Sequence, residues 1–439
     1  MSSIRAWKLD PFLIIITVLG GFLRMYRPGL LTIQYDEINV LFWTNRILES
    51  GDWIWVSNNP ISWGSNFTPF THHSPLTNYF FLLPAFLSDD PAFSRLYVGL
   101  LGTLSVVLLY LIAKHMFGCP AAVIAAAAYA ASPLAVEWAR LVWNPSIAPL
   151  MVVGWIGALL FGYRNGIRWL RWVSWVLLAL LIQAHPAHVL LGLSALIAVL
   201  IVLSKRSTRR PVLVDTMIGG VLAALTFLPW IYGTFFFSGP IQSFGTSGAA
   251  NLPPAPDTLV SWFEQFGRLT SATTYRMIAR GSLTIAPGNW WPDPQIELIL
   301  IVYALIATLS LAVVTLRSLG NLRQRWPALF VASTGYLPLL VANLISRAEI
   351  QDFYLYAILP GVYLSSGIAA GWVLARWKRT KPVIVVAVAV FVALQSWLTV
   401  SMLRNFDFDG WEQQLRANRN ASGAHYGLDP GDRRCAADC

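Results

Sequence analysis

The sequence predicts an all-α polytopic membrane protein, with about 11 transmembrane helices and further surface helices in its first long outer loop. Apolar runs of about 20 residues recur along the 439-residue chain, the length a helix needs to cross roughly 30 Å of hydrocarbon. Hydrophobic residues make up 56% of the chain and charged residues only 12%, which leaves little polar surface to solvate a separate domain. The mean hydropathy is +0.58. The short alternating strands of a membrane barrel are absent from the pattern. The net charge of +10 does not point to nucleic acid, and none is expected as a partner. Most basic residues sit in short loops between apolar runs, which is a signal of topology.

The first apolar run, residues 9–24, follows Arg5 and Lys8. No small-residue cleavage site follows it, so a retained first helix is expected rather than a signal peptide. The next run, 75–88, contains Pro84. Fourteen helical residues rise only about 21 Å, so this run is expected to be re-entrant or interfacial. The remaining runs are 93–113, 120–138, 146–162, 170–184, 187–204, 212–237, 295–316, 326–346, 353–375 and 382–403. Basic clusters assign the sides. Arg164, Arg168 and Arg171 form one inside loop, and Lys205, Arg206, Arg209 and Arg210 a second. Arg317, Arg323 and Arg325 form a third, and Arg376, Lys378, Arg379 and Lys381 a fourth. Counting from either direction gives one answer only if 75–88 does not cross. Eleven crossings follow, with the N-terminus inside and the tail outside.

This divides the chain into a transmembrane module over 1–237 with its outer loop 25–92, a second outer loop 238–294, a C-terminal transmembrane module 295–403 and a short polar tail 404–439. Loops this long in a membrane bundle are usually functional. In the first, Asp36 to Ser50 reads as a helix with Ile38, Leu41, Phe42 and Leu48 forming an apolar stripe for the membrane surface. In the second, Gly245 to Pro256 is rich in Gly and Pro. Trp262-Phe263-Glu264-Gln265-Phe266 then reads as a second surface helix, and Trp290 and Trp291 as an interfacial belt. No internal repeat supports an inverted-repeat transporter. Cys119, Cys435 and Cys439 lack zinc-type spacing.

The outer face collects the groups able to do chemistry: Asp36 and Glu37, His72 and His73, Arg95, Arg140, His185, His188, Arg347, Glu349 and Asp352. A departing phosphate needs fixed positive charge, and an attacking hydroxyl needs a base. Acids, imidazoles and guanidiniums on one face therefore suit an anionic, lipid-borne substrate. Each group also has a plainer reading. Asp36 suits a helix N-cap. His72 and His73 suit a polar turn before Pro75. His185 and His188 are three apart, but no third ligand stands near, so solvated imidazoles are expected and no metal. Arg140 and Arg347 suit interfacial anchors. Glu349 and Asp352 suit partners for Arg347. Asn66-Phe67-Thr68 is an isolated glycosylation sequon. What favours chemistry is the convergence of these groups on one side.

The order of motifs resembles a family. A first helix is followed by Tyr35-Asp36-Glu37, then His72-His73-Ser74-Pro75-Leu76, Ser94-Arg95-Leu96, Ser132-Pro133, Arg140, and Tyr354 through Pro360. This is similar to the protein O-mannosyltransferases and the lipid A aminoarabinose transferases, polyprenyl-phosphate-dependent membrane glycosyltransferases of the C class. The resemblance covers residues 9–204 best, and its most specific part is the acidic pair. It implies a sugar donor on a polyprenyl phosphate and an active site on the outer face of the cell (inner) membrane. The first acid, here Asp36, would be the base, and Glu37 matches the second acid of the mannosyltransferases. His73 stands where the family has a basic residue, although Ser74 replaces the first proline of the family's Pro-Pro-Leu. Asn144 or Ser146 falls where the aminoarabinose transferases carry another acid. The stretch after Tyr426 also departs from the family pattern.

The expected reaction is therefore inverting glycosyl transfer. Asp36 takes the proton of the acceptor hydroxyl, and Glu37 orients the acceptor or holds the surface helix. The leaving phosphate would be met by some of His73, Arg95, Arg140 and Arg347. His72, His185, His188 and Tyr354 are further candidates. No cofactor is expected. The acceptor is a glycan, lipid or protein, and membrane lipid surrounds the whole. A glycolipid transporter or flippase would share the basic outer pocket without the chemistry, and a non-catalytic scaffold would need neither.

Overall fold

A computed structural model describes residues 10–28, 35–51, 54, 74–236, 294–345 and 356–405. His72, His73, Arg347, Glu349, Asp352 and Tyr354 lie outside the described residues, as do almost all of the second outer loop and the tail. Asp36 is described by its backbone alone.

The described residues are almost entirely helical, with no strand among them. In chain order, α1 spans Pro11–Met25, α2 Tyr35–Ser50, α3 Leu76–Leu87, α4 Pro91–Phe117, α5 Cys119–Ala131, α6 Pro133–Trp138, α7 Ala148–Arg164 and α8 Arg168–Ala184. There follow α9 Leu191–Leu203, α10 Arg206–Thr226, α11 Leu228–Phe236, α12 Pro294–Leu319, α13 Leu322–Ile345, α14 Leu359–Arg376 and α15 Lys381–Asn405. Among the described residues, 7 helical stretches are long and apolar enough to cross a membrane, and α1, α3 and α5 are shorter apolar helices.

The ends of these helices are written in the sequence. Asp10 caps α1 by accepting from the Phe12 amide at 3.1 Å, with Pro11 in the first turn. Asp90 and Pro91 repeat the device for α4, where Asp90 accepts from Ala92 at 2.8 Å. An acceptor side chain followed by proline satisfies one orphan amide and removes another. The left-handed Gly118, at φ 94°, ends α4 and turns the chain into α5. Two expected continuous segments are broken. The run 120–138 splits into α5 and α6 because Pro133 cannot continue the helix and Ser132 starts a new one, accepting from Ala135. The run 212–237 splits at Phe227.

The core is built from small residues. Alanines of α5 from Ala121 to Ala131 are buried, and α14 packs on them. A Cβ at Gly367 would collide with the Ala121 carbonyl oxygen, and one at Gly335 would sit 3.0 Å from the Val362 amide. Where lipid removes the hydrophobic drive, such close backbone approach is what holds helices together. Helix α10 lies at the periphery, where Leu213, Met217, Val221, Leu225 and, beyond the break, Phe235 are exposed.

The basic clusters gather at one end of the bundle. Lys114, near the end of α4, pairs with Asp10 at 2.6 Å. His115 packs on Phe161 near the end of α7. Arg171 donates to the Gly162 carbonyl at 2.9 Å and, with Arg168, pairs with the buried Asp215 of α10. Arg317 and Arg325 lie over the Trp372 ring, and neighbouring Gly371 meets Ala121 near the start of α5. Among the described candidates, Glu37, Arg95 and Arg140 lie at the opposite end.

Helix α2 begins one residue before the expected Asp36. Its buried face is Glu37, Val40, Thr44 and Ile47, while Phe42 and Leu48 of the expected apolar stripe are exposed. Leu41 instead packs toward Val40. Helix α3 lies beside α2: Asn78 donates to the Val40 carbonyl at 3.2 Å, and Thr44 donates to the Val40 carbonyl and more distantly to that of Asn78. Twelve residues rise about 18 Å, which fits the non-crossing role expected for 75–88.

Candidate active site

Glu37 is the centre of a buried ionic junction. Arg95, near the start of α4, grips its carboxylate in a forked pair, Nε to Oε1 at 2.8 Å and Nη2 to Oε2 at 2.6 Å. The Val142 amide donates to the same Oε1 at 3.1 Å. Arg95 also donates through Nη1 to the Pro28 carbonyl at 3.2 Å. One guanidinium therefore holds both ends of the chain that leads from α1 to the acidic pair. Only a planar fork can bind a carboxylate bidentately and still reach a carbonyl. Glu37 is 1% exposed and Arg95 3%, so the pair belongs to the interior.

Arg140 is placed differently from its expected role. It is neither an interfacial anchor nor open to a ligand through its Nη groups, because it is fully buried under the end of α1. Nη1 donates to the Leu23 and Arg24 carbonyls at 3.1 and 3.3 Å, and Nη2 to those of Tyr26 and Arg27 at 2.7 and 2.8 Å. These are the carbonyls a helix leaves unmet at its C-terminus, where the dipole also favours a cation. Among the described residues Arg27 is the one non-glycine with positive φ, at 47°, a left-handed conformation within this capped turn. Burial, and then the charge of Arg95, lower the Arg140 guanidinium to about 10, still protonated at neutral pH.

Arg24 repeats the arrangement, and the sequence reading missed it. It donates to the Gly20, Ala130 and Tyr129 carbonyls at 3.2, 2.8 and 3.1 Å, which caps α5. It passes α4 at Gly102, where a Cβ would lie 3.0 Å from the Arg24 Cδ and closer still to the Ala139 Cβ. The available signal was the pair Gly99 and Gly102 in an otherwise bulky helix, which marks a close crossing. Among the described groups of this cluster, Arg24, Arg95 and Arg140 carry three positive charges and Glu37 one negative, an excess of two.

The histidines at 185 and 188 are buried rather than solvated, at 4% and 2% exposure. Pro186 starts a 3-10 turn there, and His185 caps it by accepting from the Ala187 amide through Nδ1 at 3.2 Å. Nδ1 of His188 lies 2.8 Å from the Leu181 carbonyl. A carbonyl only accepts, so Nδ1 carries the proton and Nε2 keeps its lone pair. No group of three His, Cys, Asp or Glu able to hold a metal occurs among the described residues. Ser74, next in sequence to His73, donates to Oε1 of Gln183 at 3.3 Å. Ser74 thereby stands at the same end of the bundle as Glu37.

Residues 72–232 match the family model described as dolichyl-phosphate-mannose-protein mannosyltransferase. The matched stretch begins at His72 and includes Arg95, Arg140, His185 and His188; Asp36 and Glu37 precede it. No curated protein sequence matches the chain. The fold is similar to that of ArnT from Cupriavidus metallidurans bound to undecaprenyl phosphate, at 15% identity and a TM-score of 0.51, covering 90% of this chain and 75% of that one. It is also similar to the Archaeoglobus fulgidus oligosaccharyltransferase tethered with an acceptor peptide. There the identity is 13% and the TM-score 0.52, over 90% of this chain and 54% of that one. The resemblance read from the motifs thus recurs in the family model and in the fold.

Proposed function

We propose that this chain is an inverting membrane glycosyltransferase that moves a sugar from a polyprenyl-phosphate carrier to an acceptor hydroxyl at the outer face. The observation that carries the reading is the Arg95 grip on Pro28 and Glu37. A buried ion pair costs desolvation and returns little stability, yet here one holds Glu37, and with it the start of the helix that bears Asp36, at the end of the bundle where Arg24 and Arg140 are also buried.

Asp36 is the base. It takes the acceptor hydroxyl proton as the hydroxyl oxygen attacks the anomeric carbon from the side opposite the phosphate. The bond from the anomeric carbon to the phosphate oxygen breaks, and the polyprenyl phosphate leaves with the electron pair. Positive charge must meet it there. His73 and Arg347 are assigned to the phosphate directly. Arg95, engaged with Glu37, and Arg140, whose Nη groups are engaged with backbone carbonyls, act through their field. Tyr354 and His72 are assigned to the sugar or acceptor. The undecaprenyl phosphate bound by ArnT supports a lipid-linked donor, and the acceptor peptide on the oligosaccharyltransferase supports an acceptor.

In the membrane, α2 and α3 lie at the surface. The eleven crossings are α1, α4, α5 with α6, α7, α8, α9, α10 with α11, α12, α13, α14 and α15. The end bearing Glu37 faces outward.

The test is Asp36→Asn. Transfer of labelled sugar from the membrane's own polyprenyl-phosphate pool should fall by about 10²–10⁴-fold, with thermal stability unchanged. Full transfer in the variant would remove Asp36 as base. Lipid translocation that needs this protein and persists without any transfer would instead favour the flippase reading.

A further inference from the structure

Helix α10 turns one face to the bundle and the other away from it. Val212, Asp215 and Gly219, three and four apart, are buried. Asp215 is held by Arg168, Arg171 and the Trp172 indole at 3.0, 2.9 and 3.3 Å. A Cβ at Gly219 would lie 2.7 Å from Cδ1 of Trp175, whereas one at Gly220 would meet nothing within 4 Å. On the open side the same spacing runs through Arg206, Arg209, Arg210, Leu213, Met217 and Val221, all of them exposed. Three cations and the apolar side chains that follow them therefore form one strip along the helix. From Arg210 to Val221 it rises about 16 Å, about the hydrocarbon depth of one leaflet. The apolar stretch it belongs to is the least buried of the candidate spans among the described residues.

The three cations are not used inside the protein. Among the described residues Arg206, Arg209 and Arg210 make no hydrogen bond, ion pair or ring contact. Other basic residues at this end are engaged: Lys114 with Asp10, Arg168 and Arg171 with Asp215, and Arg317 and Arg325 with the Trp372 ring. Cations at the start of a helix oppose its dipole, so these three do not stabilise α10. A topology signal needs charge in the loop, but it does not need that charge in register with an exposed apolar strip. The one acid nearby, Asp215, is on the opposite face with its charge already answered.

We propose that this strip of α10 is a docking surface for an anionic phospholipid, with the headgroup phosphates on Arg206, Arg209 and Arg210 and an acyl chain along Leu213, Met217 and Val221. Guanidinium forks match phosphate oxygens, and each cation near the membrane surface adds to the attraction. A phosphatidylcholine brings its own ammonium and gains less. Phosphatidylglycerol and cardiolipin carry phosphate diesters with no cation of their own, and the two phosphates of cardiolipin suit three guanidiniums best. The surface lies at the end of the bundle opposite Glu37 and does not rest on the reaction assigned there.

The experiment uses the full chain in neutral maltoside micelles at about 0.15 M salt, with fluorescent cardiolipin as the probe and anisotropy as the readout. Phosphate diesters stay ionised throughout the neutral range, so a single pH suffices. Replacing Arg206, Arg209 and Arg210 together by Gln should weaken binding about 100-fold, and each single replacement about fivefold. The single variants keep the surface testable if the triple does not insert. A control removes the same charge from other helix ends on this side, Arg164→Gln, Arg323→Gln and Arg379→Gln together, and should cost less than about threefold. Replacement of the first three by Lys keeps the charge and should stay within about tenfold of the wild type. Unlabelled cardiolipin and phosphatidylglycerol should displace the probe; phosphatidylcholine and the soluble diester glycerophosphoglycerol should not. The inference is overturned if the first triple, or the singles in its place, lose no more than the control. It is equally overturned if the Lys triple binds as weakly as the Gln triple, if phosphatidylcholine competes as well as cardiolipin, or if the soluble diester does, which would make this an anion site without a lipid surface.

Discussion

Glu37 is held by three donors from two elements, and each of its neighbours depends on that charge. Glu37→Gln would take the charge out of the forked pair with the buried Arg95 guanidinium. That should destabilise the protein by about 3–5 kcal/mol, the usual result of removing one partner of a buried pair. A thermal melt in detergent measures it. Replacing both partners, Glu37→Met with Arg95→Met, should recover most of the loss, because the desolvated charge has gone with its partner. Transfer in the double variant then separates the two duties expected of Glu37. Activity lost at restored stability means that the carboxylate or the Arg95 charge acts in the reaction; activity retained means that the pair only holds α2. The sequence made Glu37, Arg95 and Arg140 visible as charges near one face. It could not show that Arg140 ends on four carbonyls at and just beyond the end of α1, because such carbonyls carry no residue signature. For the same reason Arg24 reads as a charge at a membrane boundary and not as the cap of a helix 105 residues away.

At the scale of elements, the pin between α1 and α4 is titratable. Asp10 receives hydrogen bonds from Lys114 and Tyr110, and these, in that order, hold its carboxyl below the usual carboxylate value. A lowered folded value means that the stabilisation is complete above the ordinary range near about 4 and is lost as the pH falls through the folded value. Melting curves of the wild type and Asp10→Asn should therefore differ at pH 6 and converge in acid. A gap that persists in acid would show that the bond does not depend on the charge. The periodicity reading found these helices because apolar length is a local property. It failed at Ser132-Pro133 and at Phe227, where long apolar runs break into two helices. A break inside a run changes neither its length nor its hydropathy, so the clues were the prolines alone, Pro133 and Pro229, each in the first turn of the helix that follows the break. The apolar stripe of α2 said nothing of its buried face, because the decisive residue there is an acid, Glu37.

For the whole molecule, the distribution of charge between the two ends makes the orientation testable. Cys119 is an exposed free thiol at the end that bears Asp10 and Lys114, and Cys435 and Cys439 lie in the tail. With the tail thiols changed to serine, a membrane-impermeant maleimide should label Cys119 in inverted vesicles and not in intact cells. With Cys119→Ser instead, the tail should be labelled from outside, as an odd number of crossings requires. Labelling of both from one side would remove one crossing from the eleven. The caps on α1 and α5 also impose an order of assembly. The first helix to leave the ribosome exposes carbonyls at Leu23 to Arg27 and carries the buried cation Arg24. Their partners at 129, 130 and 140 are made more than 100 residues later, which at 5–20 residues per second is roughly 5–25 s of synthesis. For that interval α1 is an incomplete span holding an uncompensated charge, and it needs water, lipid phosphate or an insertion factor to shelter it. In synthesis, the end of α1 is therefore expected to stay uncapped until the chain beyond α6 has been made.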